Sequence, residues 1–183
     1  MADPATGADR ATITIERFSK ARHDRRAFSC GFARIDNFFR NSVSEQVREN
    51  FTSVWVAVEG DPPAVRGFYA INAHTVTREA LREVGGRIRR EAIPAIYLHA
   101  VAVDRSAQNG GIGAALMIDA IRRSVGISQQ MGAAVIVLDV LDDGGPERFR
   151  SRVSFYQRLG FTFFPGSGDR MYLRIKDAAA SLR

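Results

Sequence analysis

Residues 103–113 read Val-Asp-Arg-Ser-Ala-Gln-Asn-Gly-Gly-Ile-Gly, a glycine-rich turn between two elements of opposite character. Ahead of it, residues 93–103 (IPAIYLHAVAV) form a long apolar run of the kind found in a central strand buried on both faces. Behind it, Ala114, Met117, Ile118, Ile121 and Val125 recur at helical spacing, opposite Asp119, Arg122 and Arg123. Gly110, Gly111 and Gly113 let the backbone approach a ligand closely and aim free amides outward at the start of that helix, where the partial positive charge favours a phosphate. The pattern is that of an anion cradle on a strand–turn–helix. It is not a Walker loop, because no Gly-Lys-Ser/Thr follows. It also lacks the Gly-x-Gly-x-x-Gly order and the spaced acidic residue of a dinucleotide fold.

The remaining segments alternate in the same way. Residues 11–18 (ATITIERF) alternate as a strand, and residues 19–26 form a basic, turn-rich stretch. Ile35, Phe38, Phe39, Val43 and Val47 give residues 31–48 helical spacing, with Asp36 near the start to favour the dipole. Strand patterns at 52–59 and 65–71 flank Gly60-Asp61-Pro62-Pro63 and should pair antiparallel. Residues 77–90 begin as a short helix and break at Gly85-Gly86. After the central strand and its helix come a second buried strand at 133–138, a helix at 147–159 and short strands at 161–164 and 171–175. The order β-α-β-β-(α)-β-α-β-α-β-β implies an α/β fold with one mixed sheet and helices on both faces. At 183 residues the chain is one domain, residues 11–176, with a ragged tail at 1–10 and a short one at 177–183.

Composition removes several classes. No stretch approaches the roughly 20 apolar residues of a membrane span, and the N-terminus has no signal-peptide core, so a cytoplasmic protein without membrane attachment is expected. The single cysteine, Cys30, is most simply a packing residue, and three scattered histidines carry no zinc spacing, so no metal is expected. The net charge of +6 comes from 24 Arg and only 2 Lys. GC-rich coding alone can give that bias, yet guanidinium forks also match phosphates bidentately.

At Gln108-Asn109-Gly110-Gly111-Ile112-Gly113 the chain resembles the GCN5-related N-acetyltransferases, whose signature is Gln/Arg-x-x-Gly-x-Gly/Ala. Phe155-Tyr156-Gln157-Arg158-Leu159-Gly160-Phe161 is similar to that family's second block, a helix carrying Phe-Tyr and ending in Gly-Phe. Further upstream, Phe28-Ser29-Cys30-Gly31, Ile35-Asp36-Asn37-Phe38-Phe39 and Gln46 resemble the opening of the acetyltransferase toxins of bacterial toxin–antitoxin pairs, which acetylate the amino group of aminoacyl-tRNA.

The resemblance implies acetyl-CoA as co-substrate and direct transfer to a bound amine. The amides of Gln108, Asn109, Gly110, Gly111, Ile112 and Gly113 would hold the CoA pyrophosphate, and backbone groups of Val101 and Val103 would pair with the pantetheine arm. The Val103 amide would serve as oxyanion donor and Tyr156 as general acid, although a tyrosine on the helical face of Phe149 and Val153 is equally a core residue. His99 is a candidate proton relay, with a buried, hydrogen-bonded strand histidine as the alternative, and Tyr97 is a candidate pocket-lining residue. Arg87, Arg89, Arg90, Arg148, Arg150 and Arg152 are the candidates for tRNA phosphate contacts, or else solvated surface. The toxin resemblance further implies a small ribbon-helix-helix antitoxin, DNA contact only through that antitoxin, and a possible homodimer. A small-molecule or peptide amine as acceptor, and a non-catalytic CoA-binding or DNA-binding module, are the competing readings.

Overall fold

The computed structural model describes residues 12–81 and 91–182. Seven strands form one sheet in the order β1-β2-β3-β4-β5-β7-β6. The strands are β1 Thr14–Arg17, β2 Ser53–Glu59, β3 Ala64–Thr77, β4 Ala92–Val103, β5 Val135–Asp139, β6 Thr162–Phe163 and β7 Arg170–Arg174. Neighbours are antiparallel except β4 and β5, which run parallel. The helices are α1 (residues 33–48, with a π-turn at Phe38–Ser42), α2 Ile112–Met131, α3 Pro146–Arg158 and α4 Ile175–Ser181.

The period-2 pattern of the strands decides which helix covers which face. On β2, Val54, Val56 and Val58 join Phe28, Phe39 and Val43 beneath α1. Trp55 and Ala57 point the other way, toward Leu116, Met117 and Ala120 of α2. β3 repeats the division, with Phe68 and Ala70 on the α1 side and Tyr69 and Ile71 on the α2 side. Gly67 permits that packing: a Cβ there would stand 2.8 Å from a Leu116 methyl and 2.9 Å from the Ala102 carbonyl. The mixed sheet with helices on both faces is thus present as expected.

Two elements differ from the sequence expectation. The third strand continues to Thr77 rather than ending near residue 71, so no helix begins at 77, and residues 78–81 form a turn. Its extension (Asn72-Ala73-His74-Thr75) is half solvated and carries little apolar alternation, and what holds it extended is its ladder to β4, from Asn72↔Tyr97 to Thr77↔Ala92. The chain end from residue 177, expected as a tail, is mostly helical, because the alanine run 178–180 favours helix and Ala178 is buried against the α2 side. The expected N-terminal tail and the break at Gly85-Gly86 lie outside the described residues.

Candidate active site

β4 is paired with β3 along its whole length but with β5 only from Ala95 to Tyr97. Beyond Tyr97↔Val137 the two parallel strands part, and the sheet splits into a cleft of about 510 Å³. One wall is the free edge of β4, from Leu98 to Val103, and the other is the chain leaving β5, from Leu138 to Asp142. The Asp104 amide donates to the Arg66 carbonyl on the β3 side at 2.8 Å. Backbone groups alternate in direction along a strand, so those of Val103 and Val101 face the unpaired edge. The Val103 carbonyl accepts from Gln108 Nε2 at 3.1 Å, which leaves its amide open to the cleft.

A bulge interrupts the ladder of the same strand with β3. Ala70 faces Ala100 and Ile71 faces Leu98, so His99 is the extra residue. The parity of β4 reverses there: Ile96 and Leu98 face the α2 side before it, and Val101 and Val103 do so after it. His99 is thereby turned into the cleft, exposed to it, with its ring 5.0 Å from that of Phe38. Desolvation by the enclosing walls, helped by the Arg34 charge, holds its pKa below the ordinary imidazole value. Of the two expectations for His99, the buried histidine is not what the fold contains.

At the end of β4 the chain makes a short turn and reaches Gly111, which caps α2 with φ +83°. Asn109 is also left-handed, at φ 65°. Among the described residues no side chain caps α2 and none comes within 4 Å of where a Cβ on Gly111 would stand, so the helix N-terminus faces open space there. Gln108, expected to contribute its amide, also makes a structural tie through its side chain, donating to the Cys30 carbonyl and the Val103 carbonyl, each at 3.1 Å.

The segment 28–31 is clamped against this turn. Arg40 Nε donates to the Phe28 carbonyl at 2.7 Å, Ser29 N to Asp104 Oδ2 at 2.8 Å, and the Arg105 amide to the Ser29 carbonyl at 2.9 Å. Asp36 takes the Cys30 amide and the Ser29 hydroxyl, each at 2.8 Å. Burial pushes the Asp36 carboxyl up, but the Cys30 and Ser29 donors and Arg40 more than offset it and hold the pKa below the usual carboxylate range. Asp36, expected to serve the helix dipole, is therefore a buried acceptor, and an unpaired buried donor in its absence would cost roughly 1–3 kcal/mol. Desolvation raises the Cys30 thiol to about 12, in keeping with a packing role.

Across the cleft stands α3. Tyr156 lines the cavity and packs its ring 6.1 Å from Phe161. Burial raises its pKa, opposed only by Arg152, and no hydrogen bond from a described residue contributes, so the phenol is protonated at neutral pH. Arg148, Arg152 and Tyr156 fall on one stripe of α3 at i, i+4 and i+8, whereas Arg150 lies on another face. Arg148 and Arg150 are exposed. Arg152 is occupied: it donates to the carbonyls of Leu141 and Asp143 at 2.6 and 2.9 Å, pairs with Asp143 at 2.8 Å and lies over the Phe32 ring. The three arginines do not form one patch. Arg87, Arg89 and Arg90 lie outside the described residues.

At the far end of the cleft Tyr97, expected as a pocket-lining residue, is joined by Asp139 and Arg170, which sequence reasoning did not single out. Tyr97 donates to Asp139 Oδ2 at 2.9 Å across the point where β4 and β5 separate, and Arg170 grips the same carboxylate bidentately at 2.6 and 2.9 Å. Arg170 above all, with Tyr97, lowers the Asp139 pKa, and burial with that hydrogen bond raises Tyr97 to about 12. Arg34 lines the cavity without a carboxylate partner among the described residues. The parallel pairing of β4 with β5 and the antiparallel pairing of β5 with β7, in which Asp139 faces Arg170, bring the three residues together, and spacing along the chain carries no sign of it. Among the described residues no cluster of three or more metal-ligating side chains occurs, and no helix is long and apolar enough to cross a membrane.

These features agree with what the chain is similar to. Residues 50–163 match the acetyltransferase (GNAT) domain model. A probable toxin TacT from Sinorhizobium fredii is 39% identical over 172 residues, covering 93% of this chain and 94% of the relative. A tRNA-acetylating toxin from Mycobacterium tuberculosis is 29% identical over 157 residues, covering 84% and 87%. The solved structure of AtaT complexed with acetyl-methionyl-tRNAfMet superposes with a TM-score of 0.82 at 22% identity, covering 94% of this chain and all of that one, and so shares its fold. With the split sheet, the glycine turn and the matched domain in one chain, this protein belongs to the GNAT acetyltransferases.

Proposed function

We propose that the chain is a translation-blocking toxin that transfers the acetyl group of acetyl-CoA to the amino group of aminoacyl-tRNA in the cytoplasm. The observation that carries the transfer chemistry is the free edge of β4, which ends in a glycine turn at an uncapped helix N-terminus with Tyr156 facing it. The acceptor follows from the relatives: one is named a probable toxin, and another a tRNA-acetylating toxin. The room above Gly111 and the open amides of Val101 and Val103 fit a nucleotide thioester whose pyrophosphate rests on the turn and whose arm adds to the β4 edge.

In this reading acetyl-CoA supplies an activated acetyl group and leaves as a thiol. The amides of Asn109, Gly110, Gly111, Ile112 and Gly113, with that of Gln108, bind the pyrophosphate, and Val101 and Val103 align the arm. The Val103 amide donates to the carbonyl oxygen where negative charge develops. Tyr156, kept protonated by burial, delivers its hydroxyl proton to the departing sulfur. His99, kept neutral at pH 7 by its lowered pKa, accepts the proton the amine sheds. Arg87, Arg89, Arg90, Arg148 and Arg150 contact tRNA phosphates, whereas Arg152 braces the cleft wall. A small ribbon-helix-helix antitoxin neutralises the enzyme and carries any DNA contact, and two copies form a homodimer.

A cell-free translation reaction tests the function. Adding the purified chain should stop synthesis only when acetyl-CoA is present, and fresh aminoacyl-tRNA should restore it. Continued synthesis at saturating acetyl-CoA, together with rapid acetylation of a polyamine or peptide, would assign the acceptor to a small amine instead.

A further inference from the structure

A second concavity, of about 610 Å³, lies beside the same helix that walls the cleft. Arg34, Ile35 and Phe38 of α1 face the cleft, while Arg40 and Asn41 line this second hollow together with the basic loop before α1. That loop brings in Lys20, Arg22, Arg25 and Arg26, with Asp24 the one acid among the described lining residues. Arg22 is answered by Glu16 at 2.6 Å, and Arg40 by the nearby buried Asp36. Arg25 is different. Its Nε donates to the Arg40 carbonyl at 2.6 Å and its Nη1 to the Ser44 hydroxyl at 2.5 Å. Those acceptors are neutral, so they fix the guanidinium without cancelling its charge. Lys20 and Arg26 stand exposed on the rim, with no side-chain partner among the described residues. Like charges gathered this way repel one another unless an anion joins them, and a guanidinium held in place offers a phosphate a ready fork.

We infer that this concavity binds backbone phosphates of the tRNA body while the aminoacylated end occupies the cleft, an inference that rests on the aminoacyl-tRNA reading above. One helix borders both sites, which puts the hollow within reach of a long polyanion whose end lies in the cleft. The exposed rim suits phosphates spread along a surface, whereas a small anion would call for an enclosed pocket. Contacts of this kind position a nucleic acid without reading its sequence.

The test pairs binding of full-length uncharged tRNA, followed across a salt series, with acetylation of an aminoacylated CCA trinucleotide too short to reach the hollow. In Lys20→Glu/Arg26→Glu, tRNA affinity should fall at least tenfold, and the slope of log affinity against log salt should become shallower by about two. Acetylation of the trinucleotide should change less than twofold, which also reports that the variant is folded. The neutral pair Lys20→Gln/Arg26→Gln should lose less affinity and show the same reduced slope. Unchanged tRNA affinity and slope in both variants would overturn the inference. So would weakened neutralisation by the antitoxin with tRNA binding intact, which would make the hollow a protein-binding site. If the native chain binds tRNA through this loop yet acetylates no charged tRNA, the phosphate site stands and the acceptor reading fails.

Discussion

Replacing Tyr156 with Phe should lower turnover by a factor on the order of 10²–10⁴, the range a positioned general acid contributes, while acetyl-CoA affinity stays within about twofold. The ring of Tyr156 packs against Phe155 and Phe161, and Phe retains that packing. The side chain lines the cleft and its hydroxyl has no hydrogen bond to a described residue, so removing it orphans no donor or acceptor among them. The loss should therefore fall on kcat and not on stability or KM for acetyl-CoA, as expected of an interaction made only as the thiol departs. Single-turnover rates compared with calorimetric affinities measure this split. An unchanged single-turnover rate would return Tyr156 to the core face that its spacing with Phe149 and Val153 also allows.

The second large effect is expected at Gly111. In its left-handed conformation, φ +83°, a β-branched side chain is strained by about 1–2 kcal/mol. Relief of that strain would rotate the peptide that aims the first amides of α2. Gly111→Val should therefore weaken acetyl-CoA binding on the order of 100-fold, equivalent to losing about two charge-assisted hydrogen bonds. The side chain would also enter the open space in which the pyrophosphate is proposed to rest. Gly126 supplies the control: it is in the same helix with nothing within 4 Å of a Cβ. Gly126→Ala should stabilise the fold by about 0.5–1 kcal/mol and leave binding untouched. Calorimetric titration of both variants separates the two cases, and equal affinities would mean the turn does not hold the nucleotide.

The parts of this site that were legible in the sequence are those whose chemistry is local. A glycine turn between a buried strand and an amphipathic helix is written in consecutive residues, so the α2 cap could be placed from spacing, whereas the open edge at Val101 and Val103 was implied only by the family resemblance. The bulge at His99 was not legible, because a one-residue slip in pairing leaves no mark on composition. It decides between the two expectations for that side chain, in favour of the cleft-facing one. The pairing of Tyr97 with Asp139 and Arg170 joins segments distant in the chain. The capture of Ser29 and Cys30 by Asp36 and the tying of Arg152 to the Leu141 and Asp143 carbonyls, though nearer in sequence, depend on loop paths that residue spacing does not encode. The strand extension to Thr77 was hidden for a related reason: on a half-solvated stretch the β4 ladder outweighs side-chain pattern.

The proposed reaction makes one bond, the amide between an acetyl group and the amino group of an aminoacyl ester on tRNA. It is read most directly by incubating the purified chain with isotopically labelled acetyl-CoA and a fully charged tRNA pool, then identifying by mass spectrometry the amino acids released from the tRNA ends. Labelled N-acetyl-amino acids should be released from the tRNA after incubation with the native chain and be nearly absent with Tyr156→Phe. Label appearing on free amino acids, polyamines or added peptides while the tRNA-borne amino acids remain unmodified would contradict it.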